Sequence, residues 1–425
     1  MNKNKYKTIS LFSGAGGMDL GFINSGFEIV WANDFNLDAV ETYKYNISDH
    51  IVLGDITKIP SDKIAENIDD IDLVLGGFPC QGFSIANSKR NMSDSRNFLY
   101  LEMLRVIKDK QPKFFVAENV KGLTNICSGN VFKMIISDFE KLGYKVDWKL
   151  LNAADYGVPQ QRERVIIIGN RLGLKNPFPE QTHADLYPGE NNYDILDAKY
   201  TNSNLLPYTT VEETIGFLKD IPIANHYIDQ VVKLDNRTTI HNHIANTSVK
   251  DKFMGRKHEI NQADICDYLR YWRDKSGWKT SEVDKHFGYK HTAGHWFRKD
   301  NNSGSIPKPS DWWELKKIFG FDNKYDKQVT EFVEKPIRFE QSLRITNWNR
   351  PSDTITATSP EIHINKERRL SARECALIQT FPLDFIFKGN LSSQYRQIGN
   401  AVPVILAQKV AGGIKEILDE YYDKK

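Results

Sequence analysis

The first 170 residues alternate short apolar runs with helical stretches, and this alternation restricts the fold more than any other feature of the chain. Residues 7–12 read as a strand that ends in a glycine cluster, and residues 26–32 as the next. Residues 71–77, 114–118 and 164–169 continue the series, with helical segments such as 98–109 and 130–143 between them. Strands that are apolar along their length are covered on both faces, and strands linked through helices run parallel. The expectation is therefore an α/β fold with a doubly wound, Rossmann-like, mainly parallel sheet. Such sheets bind ligands beyond the carboxyl ends of their strands, where each candidate site below falls.

At 425 residues the chain is too long for one ordinary core, so two domains are expected, with room for an insertion. The alternation stops near Asp185, and Gly, Asn, Asp and Pro interrupt the pattern up to about Arg344. Inside this second region, residues 258–321 look helical and hold five of the eight tryptophans. Ile265, Tyr268, Leu269 and Trp272 have amphipathic helical spacing. Ser281 to Asp284 resembles a capping box, and Gly288 would stop that second helix. A third helix is expected over 291–299 and a fourth over 311–319, ended by Gly320. Residues 402–421 return to a helix.

The longest apolar runs are too short to span a bilayer, and the first ten residues lack a secretory apolar segment, so a cytoplasmic protein is expected. Cys80, Cys127, Cys266 and Cys375 are scattered, suggesting neither zinc nor a disulfide framework. His286, His291 and His295 cluster, but no carboxylate or cysteine completes a metal set, and no metal is expected.

The loop Phe12-Ser13-Gly14-Ala15-Gly16-Gly17 joins the first strand to the first helix. Gly14 and Gly16 let the backbone approach a ligand, and the helix start favours an anion. Asp34 ends the second strand, placed to accept from ribose hydroxyls. A dinucleotide fingerprint would need glycine at position 19, which is Asp, so a nucleoside without pyrophosphate, such as S-adenosylmethionine (SAM), fits better. Asp55, after a third short strand, is placed to accept from an adenine amino group.

Cys80 follows Pro79 just past a strand end. A lone cysteine is more often a buried thiol, and its context reverses that reading. Glu118 ends the next long strand, where a carboxylic acid can hydrogen-bond an exocyclic amine and protonate a ring nitrogen. Arg162 and Arg164, in Gln160-Gln161-Arg162-Glu163-Arg164, lie on one face of an extended segment, able to serve a phosphate and a base carbonyl. A thiolate, an acid, a cation and a methyl donor together suit methylation of cytosine at carbon 5.

These motifs, in this order, resemble those of the DNA (cytosine-5) methyltransferases of bacterial restriction–modification type. Residues 11–17 look like that family's SAM loop, 77–81 its nucleophile motif, 118–120 its acid motif and 160–164 its QxRxR element. Residues 350–356 resemble the motif after the recognition region, and 399–403 the motif that returns to the cofactor domain. The resemblance implies a SAM-dependent methyltransferase sheet with a smaller target-recognition domain. It implies Cys80 as nucleophile, Glu118 as the acid at N3, Arg164 on the flipped cytosine, and Arg162 orienting the catalytic loop or a phosphate. It places Phe12, Asp34, Phe35, Asp55, Ile56, Pro79, Leu99, Asn400 and Val402 around SAM. The loop from Gln81 to about Arg96 would close over DNA, with Ser84 near backbone phosphate. Asp34-Phe35 departs from the family's usual Glu then Trp, so its ribose contact needs a shift or a water.

The expected domains are a catalytic domain over 1–184, a target-recognition domain over 185–343, a hinge and return segment over 344–395, and a C-terminal helix over 396–425. Net charge is only +2, but residues 233–300 carry 14 Lys/Arg against 9 Asp/Glu, a local basic bias. The helical stretch resembles a helix-turn-helix insertion, with a candidate recognition helix over 292–299 that includes Arg298 and Lys299. The expected partner is double-stranded DNA; the expected setting is a monomer accompanied by a cognate restriction endonuclease. Two rivals share these residues: a tRNA cytosine-5 methyltransferase, and a catalytically dead fold acting as a DNA-binding regulator.

Overall fold

The computed structural model describes residues 6–79, 99–185, 204–224, 231–235, 238–247, 262–288, 296–297, 307–334, 344–358 and 360–424. The chain divides into two compact units: one of residues 1–246, 345–365 and 369–425, the other of residues 247–344 and 366–368.

The larger unit is built on a seven-stranded sheet. Strands β1 (Tyr6–Leu11), β2 (Phe27–Asp34), β3 (Ile51–Leu53), β4 (Leu73–Gly76) and β5 (Phe114–Val120) run parallel. Helices α1 (Gly17–Asn24), α2 (Leu37–Asn46) and α3 (Tyr100–Lys110) lie between them in sequence. After α4 (Asn130–Lys141), strands β6 (Lys145–Asn152) and β7 (Glu163–Asn170) form an antiparallel pair, with β7 also antiparallel to β5. The order across the sheet is β3-β2-β1-β4-β5-β7-β6. Residues 145–152 carry no apolar run and were not expected as a strand. The structure makes them an edge strand with most side chains exposed, so no apolar pattern is required of them.

The apolar strands are continuous because both faces are covered. Phe114 and Val116 of β5 point to one face, with Phe22, Tyr43 and Ile166. Phe115 and Ala117 point to the other, with Met103, Ile135 and Phe139. Fully burying a Phe or Val side chain contributes about 1.5–3 kcal/mol, so these neighbouring positions hold the strand between two layers.

Beyond β7 come the short pairs β8 (His183–Ala184) with β9 (Leu206–Pro207) and β10 (Val231–Lys233) with β11 (Thr239–His241), and helix α5 (Val211–Ile215). Val211, Ile215, Ala224 and Ile244 share a core with Trp348, Leu370 and Ile378, so the described residues between 206 and 246 belong to the larger unit.

The described helices of the smaller unit are α6 (Gln262–Ser276), α7 (Thr280–Phe287), α8 (Pro309–Phe319) and α9 (Asp326–Glu334). Its own core joins Ile265, Leu269, Val283, Trp312, Leu315 and Val329. Gly288 and Gly320 end α7 and α8 in the left-handed region, as their positions suggested. Ser281 is not the cap of α7: the helix begins at Thr280, and the Glu282 carboxylate accepts from the Lys279 N–H at 2.7 Å. Of the expected third helix, only Trp296 and Phe297 are described, and they form a turn.

The chain then returns to the larger unit through α10 (Ala372–Ile378), α11 (Leu391–Asn400) and α12 (Val404–Asp423). A side chain at Gly17 would reach within 2.6 Å of the Val402 carbonyl, so that glycine lets α1 touch the returning segment. No described helix is long and apolar enough to cross a membrane.

Candidate active site

Loops from several strands meet at the carboxyl end of the parallel strands. After β1 the backbone turns through positive φ at Phe12 (56°), Gly14 (56°) and Gly16 (89°). A Cβ at Gly16 would lie 2.4 Å from Ile47, so only glycine fits that close approach. Ser13 N–H donates to the Asn33 carbonyl at 3.0 Å. Asp34 then staples the loop, accepting from Gly14 N–H at 2.9 Å on one oxygen and from Asn36 N–H at 2.8 Å on the other. Burial raises its pKa, and the backbone donors oppose that. Each oxygen keeps lone pairs for a ligand hydroxyl.

The neighbouring residues suit a nucleoside. Phe35 is 73% exposed, an apolar ring held out at the strand end. A Cβ at Gly14 would meet nothing within 4 Å, so the loop has open space beside it. Asp55 caps a short turn, its Oδ1 accepting from the Thr57 N–H and hydroxyl. Ile56 and Val402 are buried in the cores flanking the sheet, and Leu99 packs half-buried against one of them. Asn400 is exposed at the end of α11. The glycine loop, an acceptor and an exposed ring fit the adenosine portion of SAM.

Below the loop, Asp19 is fully buried and accepts from Ser10 Oγ at 2.7 Å and Tyr43 OH at 2.8 Å. Burial pushes its pKa up to about 6.

The second cluster lies at the end of β5. Glu118 Oε1 is 2.8 Å from Arg164 Nε, and both side chains are nearly buried. Antiparallel pairing of β5 with β7 brings the two strands together, matching Val120 to Arg164. Burial raises the Glu118 pKa, and the charges of Arg164 and Arg162 oppose it. Gly77 adjoins the carboxyl group: a Cβ there would lie 3.3 Å from Glu118 Oε2. Asn119 donates from Nδ2 to the Phe78 carbonyl at 2.9 Å, tying β5 to the segment that enters Pro79. Nothing local in the sequence shows which carbonyl Asn119 meets, so its role emerges only in the fold.

Arg162, expected to orient the catalytic loop or a phosphate, faces inward. It is fully buried, and its terminal nitrogens donate to the carbonyls of Ile355 at 3.0 Å, Gly399 at 2.8 Å and Ala401 at 2.9 Å. Gln160 works beside it, accepting from Ile355 N–H at 2.9 Å and donating to Gln379 at 3.1 Å. The QxRxR element thus stitches the start of β7 to the two returning motifs. Cys80, Ser84, Arg96, Arg298 and Lys299 lie outside the described residues. Among the described residues there is no cluster suited to a metal ion.

A family model for the C-5 cytosine-specific DNA methylases matches residues 6–416. The chain belongs to this family. It is a DNA cytosine-5 methyltransferase. M.NgoFVII, a type II methyltransferase of Neisseria gonorrhoeae, is 34% identical over 430 residues, covering 100% of this chain and 90% of that protein. M1.HphI, a type II methyltransferase of Haemophilus parahaemolyticus, is 31% identical over 412 residues, covering 96% and 86%. Among solved structures, a prophage-encoded DNA modification methyltransferase from E. coli superposes with a TM-score of 0.58 at 22% identity, covering 98% of this chain and 100% of that one. This similarity supports the doubly wound methyltransferase fold.

Proposed function

We propose that this methyltransferase takes its methyl group from SAM and delivers it to C5 of a cytosine flipped out of duplex DNA, through a covalent bond between Cys80 Sγ and cytosine C6. The observation that carries this reading is the buried Glu118–Arg164 pair beside Gly77, tied by Asn119 to the segment entering Pro79 and Cys80.

The cytosine ring is a poor carbon nucleophile until C6 is attacked. The Cys80 thiolate adds to C6, and the ring electrons move toward N3, where Glu118 donates its proton. Arg164 holds the Glu118 carboxyl in place and supplies positive charge near the base carbonyl. When bound, SAM supplies an electrophilic methyl on a sulfonium, held through the glycine loop, Asp34, Phe35 and Asp55. The N3 proton returns to Glu118 as C5 takes the methyl group; a base then removes the C5 proton, the electrons restore the C5–C6 double bond, and the Cys80 thiolate leaves. Flipping costs a few kcal/mol, which contacts to the extruded base offset.

The deciding experiment offers wild type and Cys80→Ala a duplex carrying 5-fluorocytosine, with SAM. Fluorine at C5 cannot leave as a proton, so wild type accumulates an adduct of protein plus methylated base, seen by intact mass; Cys80→Ala shows none. Turnover on ordinary DNA by Cys80→Ala, or methyl groups on adenine or cytosine N4, would refute the mechanism. Competition between duplex DNA and tRNA separates the tRNA reading. The helical unit is assigned to DNA contact, and a monomer working beside a restriction endonuclease of the same site is the proposed setting.

A further inference from the structure

We infer that α7 of the smaller unit is the helix that enters the DNA major groove, with Ser281 and Lys285 as the residues that read base edges. This rests on the reading that the helical unit contacts duplex DNA; the stretch 292–299 expected to read bases lies outside the described residues apart from Trp296 and Phe297.

The connection between α6 and α7 is three residues, Gly277-Trp278-Lys279, with Gly277 in the left-handed region at φ 80°. A turn of this length containing glycine is the connection that a helix-turn-helix uses, and in that motif the second helix reads the groove. Local contacts hold the corner: Arg273 Nη1 of α6 donates to Thr280 Oγ1 at 3.0 Å.

The faces of α7 divide cleanly. Val283 is fully buried in the unit's core, and Phe287 packs against Trp296. The opposite face presents Ser281, Glu282, Lys285 and His286, all exposed. Two of these are occupied within the unit. Glu282 caps the helix through Lys279, and His286 lies 3.0 Å from Glu314 of α8. Ser281 and Lys285, one helical turn apart, make no hydrogen bond or ion pair with a described residue. A lysine donates to guanine O6 or N7, and a serine hydroxyl donates or accepts with any base.

This face also borders an open hollow of about 590 Å³ lined by Ser276, Gly277, Trp278, Glu282, Lys285 and His286. Exposed Lys279 lies in the turn, placed to neutralise a phosphate, while Lys275 Nζ sits 4.3 Å over the Trp272 ring.

The test uses the full-length enzyme on a library of duplexes with randomised sequence, read for 5-methylcytosine at base resolution. Wild type defines the recognition motif. Lys285→Ala, Lys285→Gln and Ser281→Ala are then compared with it, with melting temperature as the folding control and methylation rate followed against salt. The expected result is discrimination relaxed by about tenfold to a hundredfold at one or two base pairs for Lys285→Ala, and less for Ser281→Ala, with melting unchanged. An unchanged motif overturns the inference. So does an even loss of rate at every site with a shallower salt dependence, which marks a phosphate contact instead. A wild type that methylates no library member refutes the underlying DNA reading, and the inference with it.

Discussion

At the end of the sheet the polar side chains point inward, while in the helical unit they point outward. Arg162 and Gln160 are fully buried and Glu118 nearly so, each engaged with groups far away in sequence. The helical unit fills its interior with Trp312, Leu315, Ile265 and Val283 instead, and leaves Ser281 and Lys285 on its surface. A buried polar group left without a partner costs about 1–3 kcal/mol, so the sheet end tolerates little change. An exposed serine or lysine can change without disturbing the core beneath it. Chemistry and sequence choice therefore sit on parts of the chain with different mutational freedom.

The largest effect that tests this contrast is on catalysis. Glu118→Gln keeps size and burial but removes the acid, and should lower the methylation rate about 10²–10⁴-fold. Because burial raises the Glu118 pKa and Arg164 opposes it, wild-type activity should fall as pH rises through that raised pKa. Arg164→Gln removes the opposing charge, so its remaining activity should persist to higher pH. A pH profile unaffected by either change would break the assignment of the acid.

Trp312→Ala addresses the helical unit. Trp312 is fully buried and donates from its indole N–H to Asp326 at 2.8 Å. The change should cost about 3–5 kcal/mol, seen as a lowered melting transition. DNA affinity should fall while SAM binding, measured by calorimetry, stays near wild type. Loss of both together would show that the two regions are not separable.

Asp19 gives a pH-dependent test of the glycine-loop support. Its folded pKa of about 6 lies above the usual carboxylate value. Its protonation therefore contributes stability that is full below about pH 3.8 and is lost as pH rises through about 6, amounting to roughly 2–3 kcal/mol. Asp19→Asn should not show that loss, so its melting temperature relative to wild type should rise between pH 4 and pH 7. A constant difference would mean that burial does not hold the proton.

The smallest expected effect is at Asn119. Asn119→Ala strands the Phe78 carbonyl and should cost about 1–3 kcal/mol. The rate of methyl transfer should fall more than SAM affinity, because the bond positions the segment entering Cys80. Equal losses in both would reduce Asn119 to a general structural role.

The sheet strands and the order of the motifs were legible from local pattern. Both faces of β5 are covered, so its apolar run is continuous, and the glycine loop, Glu118 and Arg164 sit at strand ends that the pattern already marks. Edge strand β6 was not legible, since an exposed strand need not be apolar. Nor was the inward turn of Arg162, because its carbonyl partners come from Ile355, Gly399 and Ala401, nearly 200 or more residues away. By itself the sequence determined the family, the parallel sheet and the chemical groups available. Only the tertiary structure decided which charges are buried, which arginine faces the acid and which faces of α7 are free. Local pattern reports how a segment meets its own neighbours, whereas burial and partnership depend on what the rest of the chain brings against it.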